Sequence, residues 1–159
     1  MGFVLVTVST SRYHSKTRGE AVVDEYGDIA EREVGRLGHA VLKRSLISDD
    51  AVKIENCVKE FLGGEGDVLV FLGGTGVSPT DVTIETVRPL LEKELDGFGE
   101  LLRASSARRI GPAAALTRAT AGVARGKAIL CVPGSPDAAE EAFRLFGGEL
   151  PHVLFVARS

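Results

Sequence analysis

The sequence predicts an α/β fold, a three-layer α/β/α, Rossmann-like domain built on a largely parallel sheet. Two observations carry that prediction. Short apolar runs at residues 3–8, 68–72 and 127–132 read as buried strands. Between them lie longer stretches whose apolar residues recur at helical spacing. No internal repeat, low-complexity tract or linker interrupts the pattern, so residues 1–159 are read as one domain.

Residues 3–8 form the first strand in this reading, and the polar stretch 9–20 is a loop. Tyr26, Ile29, Ala30, Val34 and Leu37 then mark a helix, with Asp24 as N-cap and Gly38 as its stop. Residues 39–47 return to an extended pattern. Asp49 or Asp50 caps a second helix with the stripe Ile54, Cys57, Val58, Phe61 and Leu62, closed by Gly63 and Gly64. The strand 68–72 runs straight into Gly73-Gly74-Thr75-Gly76. Thr83 reads as the cap of a helix carrying Ile84, Val87 and Leu91, broken or kinked by Pro89. Residues 92–111 give no assignment, and 113–123 read as helix. After the strand 127–132, Ser135 as N-cap and Pro136 at the first helical position start a helix with the stripe Ala139, Ala142, Phe143 and Phe146. Residues 153–156 read as a last strand.

Composition narrows the function classes. A length of 159 residues suffices to bury a sizeable core, and 44% apolar with 26% charged residues argues against disorder. The formal net charge of −3 gives no general attraction to phosphate polymers, so no nucleic-acid partner is expected. Cys57 and Cys131 both sit in apolar runs and read as buried, reduced thiols, too few for a disulfide framework and not spaced as zinc ligands. The N-terminus has no basic segment before its short apolar stretch, and no apolar run approaches the ~20 residues of a membrane span. A soluble, cytoplasmic protein without a membrane partner is expected.

In an open α/β sheet, ligands bind in the crevice beyond the carboxyl ends of the strands. Three segments arrive there with unusual composition. The glycines Gly73, Gly74 and Gly76 admit backbone conformations closed to other residues and carry no side chain to hold a ligand away. Free N–H groups in such a loop can cradle phosphate oxygens, with Thr75 and Ser78 adding hydroxyls. A tight turn after a strand explains the same glycines equally well. The segment lacks the Lys-Ser/Thr of a P-loop and fails the dinucleotide pattern G-x-G-x-x-G. Asp81 follows closely, either to bridge a divalent cation to phosphates or to cap a helix. Asp49 has the same two readings. Pro133-Gly134-Ser135-Pro136 places a helix N-terminus at this edge, as an anion site or as a well-capped helix alone.

Five ordered segments carry a family resemblance: GGTG at 73–76, SPTDVT at 78–83, GFGE at 97–100, TRATAG at 117–122 and PGSP at 133–136. With these the chain resembles the MogA/MoaB family of molybdenum-cofactor biosynthesis, in the pattern of its MoaB-type members. The likeness spans 69–143, and the N-terminal βαβ unit fits more loosely. It implies molybdopterin adenylyltransferase activity, in which AMP passes from ATP to molybdopterin with magnesium (Mg2+) and pyrophosphate is released. By the same resemblance the amides of Gly73, Gly74, Thr75 and Gly76 hold phosphates, joined by Ser78. Asp81 and Asp49 match the family's functional aspartates and organise magnesium around the triphosphate. Pro133, Gly134 and Ser135 grip the pterin side, and Arg118 pairs with a phosphate or a subunit neighbour. Homo-oligomers, trimers or hexamers, are implied as well.

The sequence departs from the family in one turn. Many members carry Asp-x-Ser-Gly before the first helix, whereas this chain has Asp24-Glu25-Tyr26-Gly27. The basic stretch 12–18 reads as a solvated loop or as a lid over phosphates. His14, His39 and His152 read as structural or exposed. Two other functions stand beside the enzyme: a non-catalytic molybdopterin-binding or scaffolding oligomer, and a nucleotide-recycling hydrolase on a related fold.

Overall fold

The computed structural model describes residues 1–159. In chain order its first half contains β1 (Gly2–Val8), α1 (Thr10–Thr17), α2 (Glu25–Arg36), β2 (Ala40–Ile47), α3 (Ala51–Gly63) and β3 (Val68–Leu72). The second half contains α4 (Thr83–Val87), β4 (Lys93–Glu94), α5 (Asp96–Ile110), β5 (Thr120–Ala124), β6 (Lys127–Val132), α6 (Pro136–Phe146) and α7 (Leu150–Ala157). The six strands form one sheet in the order β2-β1-β3-β6-β5-β4. β2, β1, β3 and β6 run parallel, while β5 and β4 close one edge antiparallel.

Helices cover both faces, and β3 shows why its sequence is uniformly apolar. Val68, Val70 and Leu72 pack toward α2, α5, α6 and α7, while Leu69 and Phe71 pack toward α3 and α4. All five are fully buried, because side chains alternate between two faces that are each covered. The parallel strands also end level with one another: Val8 lies opposite Ile47, Thr7 opposite Leu72, and Leu72 opposite Val132. Strand order reverses direction between β1 and β3, so the loops leaving these two strands diverge and open a crevice.

Most elements stand where residue spacing puts them, but three do not, and two single residues also differ from expectation. Residues 9–20 hold the helix α1 rather than a loop. It buries no residue, so it has no apolar stripe to read, and its N-terminus is held by Ser9 and Asp49 side chains. Residues 113–123, expected to be helical, divide into a 3₁₀ segment (Gly111–Leu116) and β5. Alanines favour helix, but a β-hairpin with β6 overrides them. Small residues are required there, since a Cβ on Gly122 would come within 2.5 Å of the Lys93 carbonyl oxygen. Residues 153–156 lie in α7, started by Pro151 and docked through Leu150 and Leu154 at i, i+4. Thr83 is the first residue of α4 and not its cap, which is Val82. Cys131 is fully buried, but Cys57 is only half-buried, beside Lys43 and Glu60. The unassigned stretch 92–111 contains β4 and α5, and Pro89 breaks α4 into a 3₁₀ turn as expected. No helix is long and apolar enough to cross a membrane.

The hairpin between β5 and β6 turns on two residues, Arg125 and Gly126, with φ of 50° and 69°. Both central residues of such a turn need positive φ, which costs an arginine about 1 kcal/mol or more. Arg125 is exposed and makes no ion pair, so Arg125→Asn is expected to stabilise the protein by about 0.5–1 kcal/mol. Calorimetry should show a higher thermal midpoint, and an unchanged or lower one would contradict this account of the turn.

Candidate functional site

The loop leaving β3 crosses the end of β1. Gly73 donates to the Val132 carbonyl at 2.9 Å, so its amide, expected to hold phosphate, is already engaged by the neighbouring strand. Its φ of 108° brings it against the Val8 carbonyl so closely that any Cβ would collide. Gly74, at φ 65°, is wedged among Thr83, Asp49 and Val8. These two positions therefore require glycine. Thr83, fully buried, donates its hydroxyl to the Gly73 carbonyl at 3.0 Å, and its amide to the Gly74 carbonyl at 2.9 Å. With its carbonyls tied down, the loop directs its donors elsewhere. The N–H groups of Gly74, Thr75, Gly76 and Val77 have no partner within the chain. Thr75 is itself buried, so an unpaired donor there is the kind of group that a ligand satisfies.

Two carboxylates flank this run of donors. Asp49 accepts from the Thr10 amide (3.1 Å) and hydroxyl (2.7 Å) through Oδ2. Its Oδ1 stands 2.9 Å from where a Cβ on Gly74 would be, and accepts no hydrogen bond. Asp81 accepts from the Ser78 amide (3.0 Å) through Oδ2, which lies 2.6 Å from the Cβ position of Gly76. Its Oδ1 is also unengaged. Gly74 and Gly76 are at most about 7 Å apart along the chain, so both carboxylates border one short arc of loop. The choice between Asp49 and Asp50 as helix cap is thereby resolved: Asp50 accepts from the Lys53 amide and caps α3. Asp81 caps its own loop turn and no helix.

The other expected site residues divide. Gly134 lies against the loop, its Cβ position 3.1 Å from the Cα of Gly73, following Pro133 at the end of β6. Ser135 caps α6 as expected, accepting from the Ala138 amide at 3.1 Å. Ser78 is exposed and shares a hydrogen bond with Thr80. Arg118 is engaged inside the chain: it donates to the Gly76 carbonyl at 2.6 Å and pairs with Glu85, whose carboxyl is held below its usual range although burial opposes this. This arginine fixes the loop from behind.

Some contributors escape the sequence. Thr10 and Thr83 are short hydroxyl residues whose partners lie far along the chain. Asp24 caps α2 but also accepts from Thr7, and its contact with Arg44 ties that turn to β2. Tyr26, in the position of the family's serine, carries the Arg12 guanidinium 4.2 Å above its ring. A separate cavity of about 240 Å3 lies between β2 and α3, but its charged lining is mainly the Lys43–Glu60 ion pair. It offers no counterpart to the unpaired amides.

Fold and site first define a class, an α/β domain that presents a glycine loop with unpaired amides and two carboxylates at the carboxyl edge of parallel strands. Residues 4–152 match the family described as the probable molybdopterin binding domain. The chain belongs to the MogA/MoaB family of molybdenum-cofactor biosynthesis. It is 34% identical over 152 residues to the probable molybdopterin adenylyltransferase of Methanocaldococcus jannaschii, covering 96% of this chain and 91% of that protein. It is 38% identical over 152 residues to the molybdenum cofactor biosynthesis protein B of Staphylococcus aureus, covering 94% and 88%. Among solved structures, the tungsten cofactor synthesizing protein MoaB of Pyrococcus furiosus superposes with a TM-score of 0.87 at 33% identity, over 99% of this chain and 97% of that one.

The geometry separates Thr83, which ties down the loop carbonyls, from Asp81, whose carboxylate accepts only from the Ser78 amide. Thr83→Val leaves the buried Gly73 carbonyl without this donor and should cost about 1–3 kcal/mol. Asp81→Asn keeps an acceptor for the Ser78 amide and should change stability by less than about 0.5 kcal/mol. Thermal melting of both variants checks the contrast, and equal losses would show that Asp81 is chiefly structural.

Proposed function

We propose that this chain transfers AMP from ATP to molybdopterin, giving adenylylated molybdopterin and pyrophosphate. One observation carries the reading: four consecutive unpaired amides at Gly74–Val77, flanked by two carboxylates with an unengaged oxygen each. The names of two relatives support it: a probable molybdopterin adenylyltransferase in Methanocaldococcus jannaschii and a molybdopterin adenylyltransferase in Pyrococcus furiosus.

In this reaction the terminal phosphate of molybdopterin attacks the α-phosphorus of ATP, and the bond from that phosphorus to pyrophosphate breaks. The nucleophile is already anionic, so no Ser-His pair is needed to activate it. The residues instead position and neutralise charge. The amides of Gly74–Val77 hold phosphate oxygens, with the Thr75 and Ser78 hydroxyls beside them. Gly73 and Thr83 keep the loop backbone from turning away. Ser135 accepts from Ala138 but retains its own proton to donate to the pterin side, next to Pro133 and Gly134. Arg118 serves through Gly76.

Asp49 and Asp81 fit magnesium, which commonly takes one or two carboxylates and completes its shell with substrate phosphates and water. No group of three or more His, Cys, Asp or Glu forms a self-sufficient metal site. Bound there, magnesium would neutralise the charge that develops on the departing pyrophosphate. The same reading places the protein in the cytoplasm and includes self-association as a trimer or hexamer. Exposed Leu101, Ile110 and Leu116 on and just beyond α5 offer apolar surface for it. Light scattering should give a mass of three or six chains, and a monomer would refute that element.

The decisive experiment incubates purified protein with molybdopterin, ATP and magnesium, and scores adenylylated molybdopterin together with pyrophosphate. Both products are expected, with a loss of about 100-fold or more in Asp81→Asn. Tight molybdopterin binding without product would instead assign the scaffolding role.

A further inference from the structure

The first turn of α1 is fastened to the glycine loop on two sides. On one side, Thr10 holds Asp49, whose Oδ1 lies beside Gly74. On the other, Arg12 stacks on Tyr26, and the Tyr26 ring edge lies 3.4 Å from the Cβ position of Gly134, which itself abuts Gly73. The helix is held further by its next residue. The Tyr13 ring lies 3.9 Å from the Lys53 ammonium, which also donates to Ser48 at 2.9 Å. The basic stretch 12–18 is therefore mostly helical and is fastened through Arg12 and Tyr13, while His14, Lys16, Thr17 and Arg18 are exposed.

Arg12 differs from the arginines around it. Arg18, Arg32, Arg36 and Arg44 each pair with at least one carboxylate. Arg12 is half-buried, makes no ion pair and donates no side-chain hydrogen bond; its one fixed contact is the Tyr26 ring face. Stacking restrains a guanidinium while leaving its five N–H donors at the ring's edge free for an anion. Tyr26 is restrained in turn, because its ring packs against the apolar core beneath α2. Asp49 and Asp81 add two negative charges to the crevice, and Arg118 is already committed to Glu85. A phosphate-bearing substrate thus meets Arg12 as a cation at this edge with no carboxylate to satisfy it.

We propose that Arg12 binds a phosphate group of a substrate in the crevice, and that Tyr26 is its positioning residue. A serine in the position of Tyr26, as many family members have, would offer no face on which a guanidinium can stack. The assignment rests on the adenylyltransferase reading for the identity of the phosphate, which belongs either to the ATP triphosphate or to molybdopterin.

The test measures steady-state kinetics with each substrate varied in turn, for Arg12→Ala, Tyr26→Ser and Tyr26→Phe. Arg12→Ala should raise KM for one phosphate substrate at least tenfold, and the substrate affected identifies which phosphate is bound. Tyr26→Ser should raise the same KM with kcat changed less, and Tyr26→Phe, which keeps the ring, should restore it. If the unaltered protein forms no product, calorimetric titration with ATP, with molybdopterin and with pyrophosphate takes the place of kinetics. A tenfold weakening of any of these in Arg12→Ala then supports the phosphate role while the transferase reading falls. Unchanged KM or affinity for all of them, or an unaltered protein that binds none, overturns the proposal.

Discussion

The structure turns on the contact between Gly73 and the end of β1. The loop after β3 must pass over the Val8 carbonyl at a distance that excludes any side chain, and it does so in a left-handed conformation. Everything at the site follows from that passage. It brings Gly74 against Asp49 from the neighbouring strand end, and Gly134 against Gly73 from the other side. It also turns the carbonyls of Gly73 and Gly74 onto Thr83, while the amides of Gly74–Val77 stay unpaired within the chain. A sheet whose parallel strands ended at different heights would not bring these three loops together.

Charge at this edge is divided between groups that hold the fold and groups left available. Arg44 is surrounded by Asp24, Asp28 and Glu31, and these hydrogen bonds keep its guanidinium firmly protonated against the cost of burial. Arg118 is similarly spent on Glu85 and the Gly76 carbonyl. Asp49 and Asp81 each commit one oxygen to a backbone amide and keep one free. A carboxylate held through one oxygen and open at the other is suited to meet a cation without moving.

Much of the fold was legible because its signals are local. β3 and β6 are short apolar runs covered on both faces, and the caps Asp24, Asp50 and Ser135 each act within three residues of themselves. The glycine loop, Asp49 and Asp81 could be nominated by type and position, and five ordered segments named the family. α1, β5 and α7 were misread because their conformations depend on partners elsewhere: Asp49 for α1, β6 for β5, and the underlying sheet for α7.

By itself, then, the sequence determined the alternation of strands and helices and the candidate residue types of the site, which are written in short-range spacing, while its ordered motifs carried the resemblance to the family. Tertiary structure alone decided which of each residue's competing roles it takes. Asp49 and Asp50 are adjacent and alike, yet one caps a helix while the other reaches Thr10, 39 positions away in the chain. Arg118 and Arg12 are both arginines near one loop, yet one is consumed by Glu85 and the other rests on a tyrosine with its donors free. Hydrogen bonds and ion pairs reach only a few ångströms, so a residue's role is set by what the fold brings within that distance.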